Sequence, residues 1–301
     1  GATTEICLTL EVEPPKNTSD DHFWQKVADC AQIPFSPLIV TVDSFVGSMS
    51  FGLQLARVAR HMTGRFTFRK RLPAEFGAAR IHVTTRSDVR LLAPGFSQTA
   101  SDLFQVVRGC IKPGDCVWDI GSNLGIFSVC AAWKVGTRGK VFALGADPCY
   151  ADLLYRTART LPARYAAVTP LCAAVADRLS ILELAIPRRG HSKNHLRIVS
   201  DMSDEDTEAV KQVISVNCDF LLASWPKPDF VKIDIEGAEL LFLAGAGQML
   251  SQVRPGLYLE VSPANCDEVT DLLLRHRYVL SRFCPDGTAT PVDRCVFNTL
   301  A

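Results

Sequence analysis

The sequence predicts an α/β protein with a doubly wound, mostly parallel sheet. Three observations carry the prediction. From residue 101 onward, short apolar runs of strand length alternate with longer amphipathic runs of helical period. The stretch "DCVWDIGSNLGIFSVCA", residues 115–131, reads as a buried strand, a tight glycine turn and the start of an apolar helix. The last two strand-like runs lie so close together that one of them must be antiparallel.

The elements follow in order. "SDLFQVVRGCI" is a helix with a Ser/Asp start, and "KPGD" is the turn after it. "CVWDI" is a strand and "LGIFSVCAAWKV" a helix. "GKVFALGAD" and "CYADLLYRTARTL" repeat the pair, and "AAVTPLCAAV" and "SILELAIP" are strands. "NCDFLLASW" is a short helix, "DFVKIDIEG" a strand and "AELLFLAGAGQML" a helix. "PGLYLEV" and "CDEVTDLLLRHR" form the last strand–helix pair, and "YVLSRF" and "RCVFNTL" close the chain as strands.

Upstream, residues 1–78 read as a small N-terminal α/β appendage of unknown role, and residues 79–301 as the core domain. "ARIHVTTRSDVRLLA" is the hairpin leading into that core. The segment "PRRGHSKNHLRIVSDMSDEDTEAVKQ" breaks the rhythm. It is long and polar, and residues 188–212 are expected to form a mobile lid or acceptor-binding loop.

Composition narrows the classes. The chain has 301 residues, 48% of them hydrophobic, enough for a sizeable core. Lys plus Arg and Asp plus Glu are both 32, so no global nucleic-acid footprint exists. No apolar run is long enough to span a bilayer. "GATTEICLTLEVEPP" lacks the basic start and apolar middle of a signal peptide. The 11 cysteines are scattered without a C-x-x-C pair, which suits buried thiols in a reducing compartment. The expectations are a cytoplasmic protein with no metal, no nucleic acid and no membrane partner.

The glycine turn decides the ligand class. A dinucleotide fingerprint needs three glycines, but here Asn123 and Ile126 stand where the second and third would be. No G-K-S/T follows, so a phosphate loop is excluded. Asp119 ends the strand, where its charge would repel a pyrophosphate. A ligand with a cationic end fits better, and S-adenosylmethionine has an ammonium, a sulfonium and no phosphate. The competing role for Asp119 is that of a helix-capping partner.

Three blocks carry a family resemblance: "KPGDCVWDIGSNLGIFSVCAA", "GKVFALGADPCYADLL", and "FVKIDIEGAELLFLAGAGQML" followed by "RPGLYLEV". From about residue 80 to 300 the chain resembles the FkbM-type family of S-adenosylmethionine-dependent methyltransferases. The family's K-I-D-V-E-G-x-E pattern is matched at Lys232, Asp234, Glu236, Gly237 and Glu239. The resemblance implies a class I, Rossmann-like methyltransferase fold. The candidates for cofactor contact are Asp119, Gly121, Ser122, Asn123 and Gly125 at the turn, together with Asp147 and Ala174. It also implies O-methylation of a hydroxyl on a sugar or natural product, with a small-molecule or glycan acceptor.

One position departs from the pattern. Methyltransferases of this class end the second strand in an acid that takes both ribose hydroxyls, and here Gly145 occupies that place. Asp147 reaches back to the ribose, or it only caps the next helix ahead of Pro148, or the site has lost its cofactor. The sequence leaves all three open.

The candidate bases for accepting the proton of a hydroxyl are Asp234, Glu236, His191 and His195. Strand alternation puts Lys232, Asp234 and Glu236 on one side, with Lys232 neutralising a carboxylate. Glu239 reads as structural. Two other functions compete: a non-catalytic methyltransferase-like binding protein, and a methyltransferase acting on protein or RNA.

Overall fold

A computed structural model describes residues 67–84, 98–187, 194–199, 207–284 and 286–301. The elements are β1 (Thr67–Arg71), β2 (Arg80–Thr84), α1 (Gln98–Cys110), β3 (Cys116–Ile120), α2 (Ile126–Val135), β4 (Lys140–Gly145) and α3 (Pro148–Arg159). Next come β5 (Ala167–Cys172), β6 (Ala174–Val175), β7 (Ser180–Pro187), β8 (His195–Leu196) and β9 (Thr207–Val216). Then follow α4 (Cys218–Ser224), β10 (Phe230–Ile233), α5 (Glu239–Ala244), β11 (Gly256–Glu260), α6 (Cys266–Arg275), β12 (Ser281–Phe283), β13 (Ala289–Pro291) and β14 (Asn298–Leu300).

The main sheet has the order β13-β12-β14-β11-β10-β3-β4-β5. Its β11-β10-β3-β4-β5 half is wholly parallel. The strand order turns back at β3, where β10 and β4 flank it. That is the switch point at which the crevice of an open sheet opens beyond the carboxyl ends of the strands. β3 reads as continuously apolar apart from Asp119 because all five of its residues are buried. The C-terminal expectation needs one refinement. β14 slots antiparallel between β11 and β12, and a second antiparallel strand, β13, adds at the edge.

Helix α2 is apolar nearly all round because it is covered on both sides. One side meets the sheet. The other meets residues the sequence assigned to the N-terminal appendage: Leu72 and Phe76 share a buried cluster with Phe127, Val129 and Ala132. The Tyr165 hydroxyl donates to the Phe76 carbonyl at 2.8 Å, beneath Gly77 (φ +73°). β1 and β2 form an antiparallel hairpin. The expected boundary between residues 78 and 79 therefore falls inside a hairpin that belongs to the core. The rest of the expected appendage, residues 1–66, lies outside the described residues.

The 188–212 expectation is also revised in part. β9 runs Thr207–Val216 and pairs antiparallel with β7, and β8 pairs with β7 as Ala185↔His195 and Leu184↔Leu196. "TEAVKQVISV" looks loop-like because one face of β9 is turned to solvent. Residues 188–193 and 200–206 lie outside the described residues. With β6, these strands form a second, four-stranded sheet in the order β6-β9-β7-β8. Among the described residues, no helix is long and apolar enough to cross a membrane.

Candidate active site

The turn after β3 is sewn to both neighbouring strands. The Gly121 and Ser122 N–H groups donate to the Leu144 carbonyl of β4 at 2.8 and 2.9 Å. The Asp234 N–H donates to the Ile120 carbonyl at 3.0 Å, and Gly125 N–H to the Ser122 carbonyl at 2.7 Å. Three turn N–H groups are thus spent within the fold, whereas a phosphate cradle must keep them free. Gly121 has φ +84°, and a Cβ there would overlap the Asp234 carbonyl. Gly125 (φ +79°) is required by packing, since a Cβ would strike the Leu154 side chain of α3.

A buried charge row lies beside the turn. Lys232 Nζ stands 3.3 Å from Asp119 Oδ1 and 3.1 Å from Asp234 Oδ2, and donates to the Gly121 carbonyl at 2.9 Å. Burial works against the ammonium, but Asp119 and then Asp234 outweigh it and hold its pKa above the ordinary lysine range. Asp119 is fully buried, and Ser128 Oγ donates to its other oxygen. Asp119 therefore does not face the crevice: its charge is committed to Lys232 and Ser128. The expected contact of Asp119 with a cationic ligand, direct or through water, meets a side chain that is buried and already paired inside the fold. Asp234 is the partner that emerges, with its side chain about a quarter exposed at 26%.

The alternation inferred for this motif stops early. β10 ends at Ile233, so Glu236 does not share a strand face with Lys232 and Asp234. It sits in a turn, exposed, with φ +49°, followed by Gly237 at φ +95°. Glu239, fully buried, holds that turn: its Oε1 accepts from Gly237 N–H at 2.8 Å and its Oε2 from Asn265 Nδ2 at 2.9 Å. Asn265 Nδ2 also donates to the Gly237 carbonyl at 2.9 Å.

Glu260 ends β11, the strand paired with β10 on the side away from β3, and its carboxyl feels the charge of Asp234. Burial, then repulsion from Asp234, pushes its carboxyl up to about 8. Lys232 opposes the shift, while Glu236 and Asp102 add to it. A carboxyl raised on folding stabilises the folded chain less as pH climbs from its unfolded value of 4.5 to about 8. Glu260→Gln removes that dependence. Thermal melts should show the variant gaining on the parent across this window, and parallel pH curves would refute the assignment.

The crevice itself is a cleft whose empty space measures about 690 Å³, its open mouth included. Of the candidate site residues, Gly121, Asn123, Asp147, Ala174, His195, Asp234 and Glu236 line it. Ser122 and Gly125 shape the turn without lining the cleft, and His191 lies outside the described residues. The sequence missed the wall opposite the main sheet, where Leu184 of β7, Leu196 of β8 and Asn194 just before β8 face the cleft. The signal was present in the alternation of "SILELAIP", but nothing local says which sheet it joins.

Of the three possibilities for Asp147, the structure supports the cap. Its Oδ1 accepts from Cys149 N–H at 2.9 Å at the start of α3, with Pro148 in the first turn. The same oxygen pairs with Lys211 Nζ of β9 at 2.8 Å, and Oδ2 accepts from Asn194 Nδ2 at 2.8 Å. Both oxygens are engaged. A Cβ on Gly145 would meet Ser122 Oγ at 3.1 Å, a tight contact with a side chain that can shift, and Asn123 N at 3.8 Å.

A Rossmann-like parallel sheet, a glycine turn without a phosphate cradle and a carboxylate-rimmed cleft at the switch point define a class I methyltransferase. A family model described as "Methyltransferase FkbM domain" matches residues 119–281. The chain belongs to this FkbM-type family of S-adenosylmethionine-dependent methyltransferases. The chain is similar to the hexuronic acid methyltransferase AglP of Haloferax volcanii, 28% identical over 155 residues, which are 50% of this chain and 58% of that protein. Among solved structures it is similar to a methyltransferase FkbM from Methylobacillus flagellatus, with 16% identity and a TM-score of 0.41 over 65% of this chain and 47% of that one. It is also similar to Aeropyrum pernix fibrillarin with natively bound S-adenosyl-L-methionine, with 10% identity and a TM-score of 0.41 over 74% and 89%.

Proposed function

We propose that the chain is an O-methyltransferase that places a methyl group on a hydroxyl of a sugar or sugar-like small molecule. The observation that carries the reading is Asp234. Its carboxylate lines the cleft, is held by Lys232 at 3.1 Å, and acts electrostatically on the buried Glu260 carboxyl.

The residues present fit the cofactor. Asn123 and Asn194 line the cleft, and their Oδ1 atoms are buried with no hydrogen-bond partner among the described residues. They are acceptors, and S-adenosylmethionine brings donors: its ammonium, its ribose hydroxyls and its adenine amine. Leu144, Val175, Leu184 and Leu196 supply apolar walls for the adenine ring. When bound, S-adenosylmethionine supplies a methyl group already activated on a sulfonium.

The protein's own groups do the rest. Asp234 orients an acceptor hydroxyl and receives its proton, and the buried Lys232 keeps that carboxylate in place. Glu236 at the mouth and His195 on the opposite wall are further polar contacts for the acceptor. Carboxylates at the rim suit a polyol, whose hydroxyls all donate. The name of the hexuronic acid methyltransferase supports the same acceptor class.

The test is transfer of labelled methyl to a panel of hexuronic acid and neutral hexose glycosides. The expected product is an alkali-stable methyl ether. Label in an alkali-labile ester, or in protein or RNA, overturns the acceptor assignment. Failure to bind S-adenosylhomocysteine in calorimetry favours a non-catalytic binding protein.

A further inference from the structure

Three facts meet at the end of β4. Gly145 contributes no side chain to the cleft, although this strand end is where a Rossmann-type fold places the acid that holds the ribose. Asp147, the nearest acid, has both oxygens engaged by Cys149, Lys211 and Asn194. Asn194 lines the same cleft and keeps a buried acceptor without a partner among the described residues.

The orientation of Asn194 follows from chemistry. A carboxylate can only accept, so the group facing Asp147 Oδ2 at 2.8 Å must be the amide NH₂. That leaves the carbonyl oxygen pointing away from Asp147. Both grips on Asp147 come from the four-stranded sheet: Asn194 precedes β8, and Lys211 stands on β9. Lys211 neutralises Asp147, so this corner of the cleft presents a neutral acceptor where a strand-end acid would present a negative one.

We propose that Asn194 is the residue that reads the ribose hydroxyls of the cofactor, held in position by the Asp147–Lys211 pair. The assignment rests on the S-adenosylmethionine reading of the cleft. It gives the second sheet a role in cofactor recognition and moves the ribose contact from the end of β4 to the facing wall. A buried acceptor with no partner is costly, and a ribose hydroxyl relieves that cost on binding.

Calorimetry tests it with S-adenosylhomocysteine and with its analogue lacking both ribose hydroxyls. Asn194→Ala should bind S-adenosylhomocysteine about 2- to 13-fold more weakly than the parent, the usual range for one neutral hydrogen bond. Parent and variant should bind the analogue alike. Gly145→Glu, whose Cβ needs the Ser122 hydroxyl to give by a few tenths of an ångström, should recover the lost affinity in the Asn194→Ala background. Equal binding of S-adenosylhomocysteine by parent and Asn194→Ala overturns the inference alone. So does an equal loss for both ligands, which marks a general disturbance of the wall. A parent that binds neither ligand overturns the cofactor reading itself, and the inference with it.

Discussion

Lys232→Met is expected to destabilise the folded chain by about 3–5 kcal/mol, the usual consequence of stranding a buried charge. The lysine is fully buried between Asp119 and Asp234. Methionine fills similar space but leaves Asp119, with no exposed surface at all, facing no cation. Thermal unfolding should fall by roughly 10 °C, taking about 2–4 °C per kcal/mol for a domain of this size. The informative variant is the double one. Asp119→Asn with Lys232→Met removes the stranded anion, and Asp234 can still be solvated at the cleft. The double variant should therefore melt above the single Lys232→Met. Purely additive losses would mean that the two charges are not coupled, and the buried row would have to be abandoned as the organising feature of the site.

Asp234→Asn should lower methyl transfer by about 10²- to 10⁴-fold, the usual worth of a positioned general base. Asparagine keeps the shape and still offers Lys232 an oxygen, and Lys232 keeps Asp119 as counter-ion. The fold should therefore survive, and affinity for S-adenosylhomocysteine should change only a few-fold. The separation of rate from affinity is the point of the measurement. A variant that turns over like the parent would remove Asp234 from the chemistry. A variant that loses cofactor and rate together would recast it as a cofactor ligand.

Much of the fold was legible because the strongest signals were local. The apolar run of α2 and the amphipathic patterns of α3 and α6 need no distant partner to be recognised. β1 was not legible. "TFRKR" alternates between exposed and half-buried residues in a two-stranded hairpin, so it carries no buried stripe. β9 was hidden because its first six residues are exposed or half-buried and its buried positions come only near its end. In "FVKIDIEG" the alternation was extrapolated past its end. The left-handed turn at Glu236 and Gly237 is clamped by Glu239 and by Asn265, and Asn265 lies 28 residues beyond Gly237.

By itself the sequence determined the order and kind of the elements of the parallel half of the main sheet. It determined that the turn at Gly121 cannot serve a pyrophosphate, and it placed the chain in its methyltransferase family. Each of those follows from residues close together in the chain. Only the tertiary structure decided which polar groups face the cleft. Asp119 looks like a ligand residue in sequence, yet it is consumed by Lys232, which β10 brings alongside it in register. Asp147 looks available, yet Lys211 arrives from 64 residues away and Asn194 from 47. A carboxylate is free for a ligand only if no nearer donor has taken it; for Asp119 that donor comes from the neighbouring strand, and for Asp147 from β9 and the residue before β8.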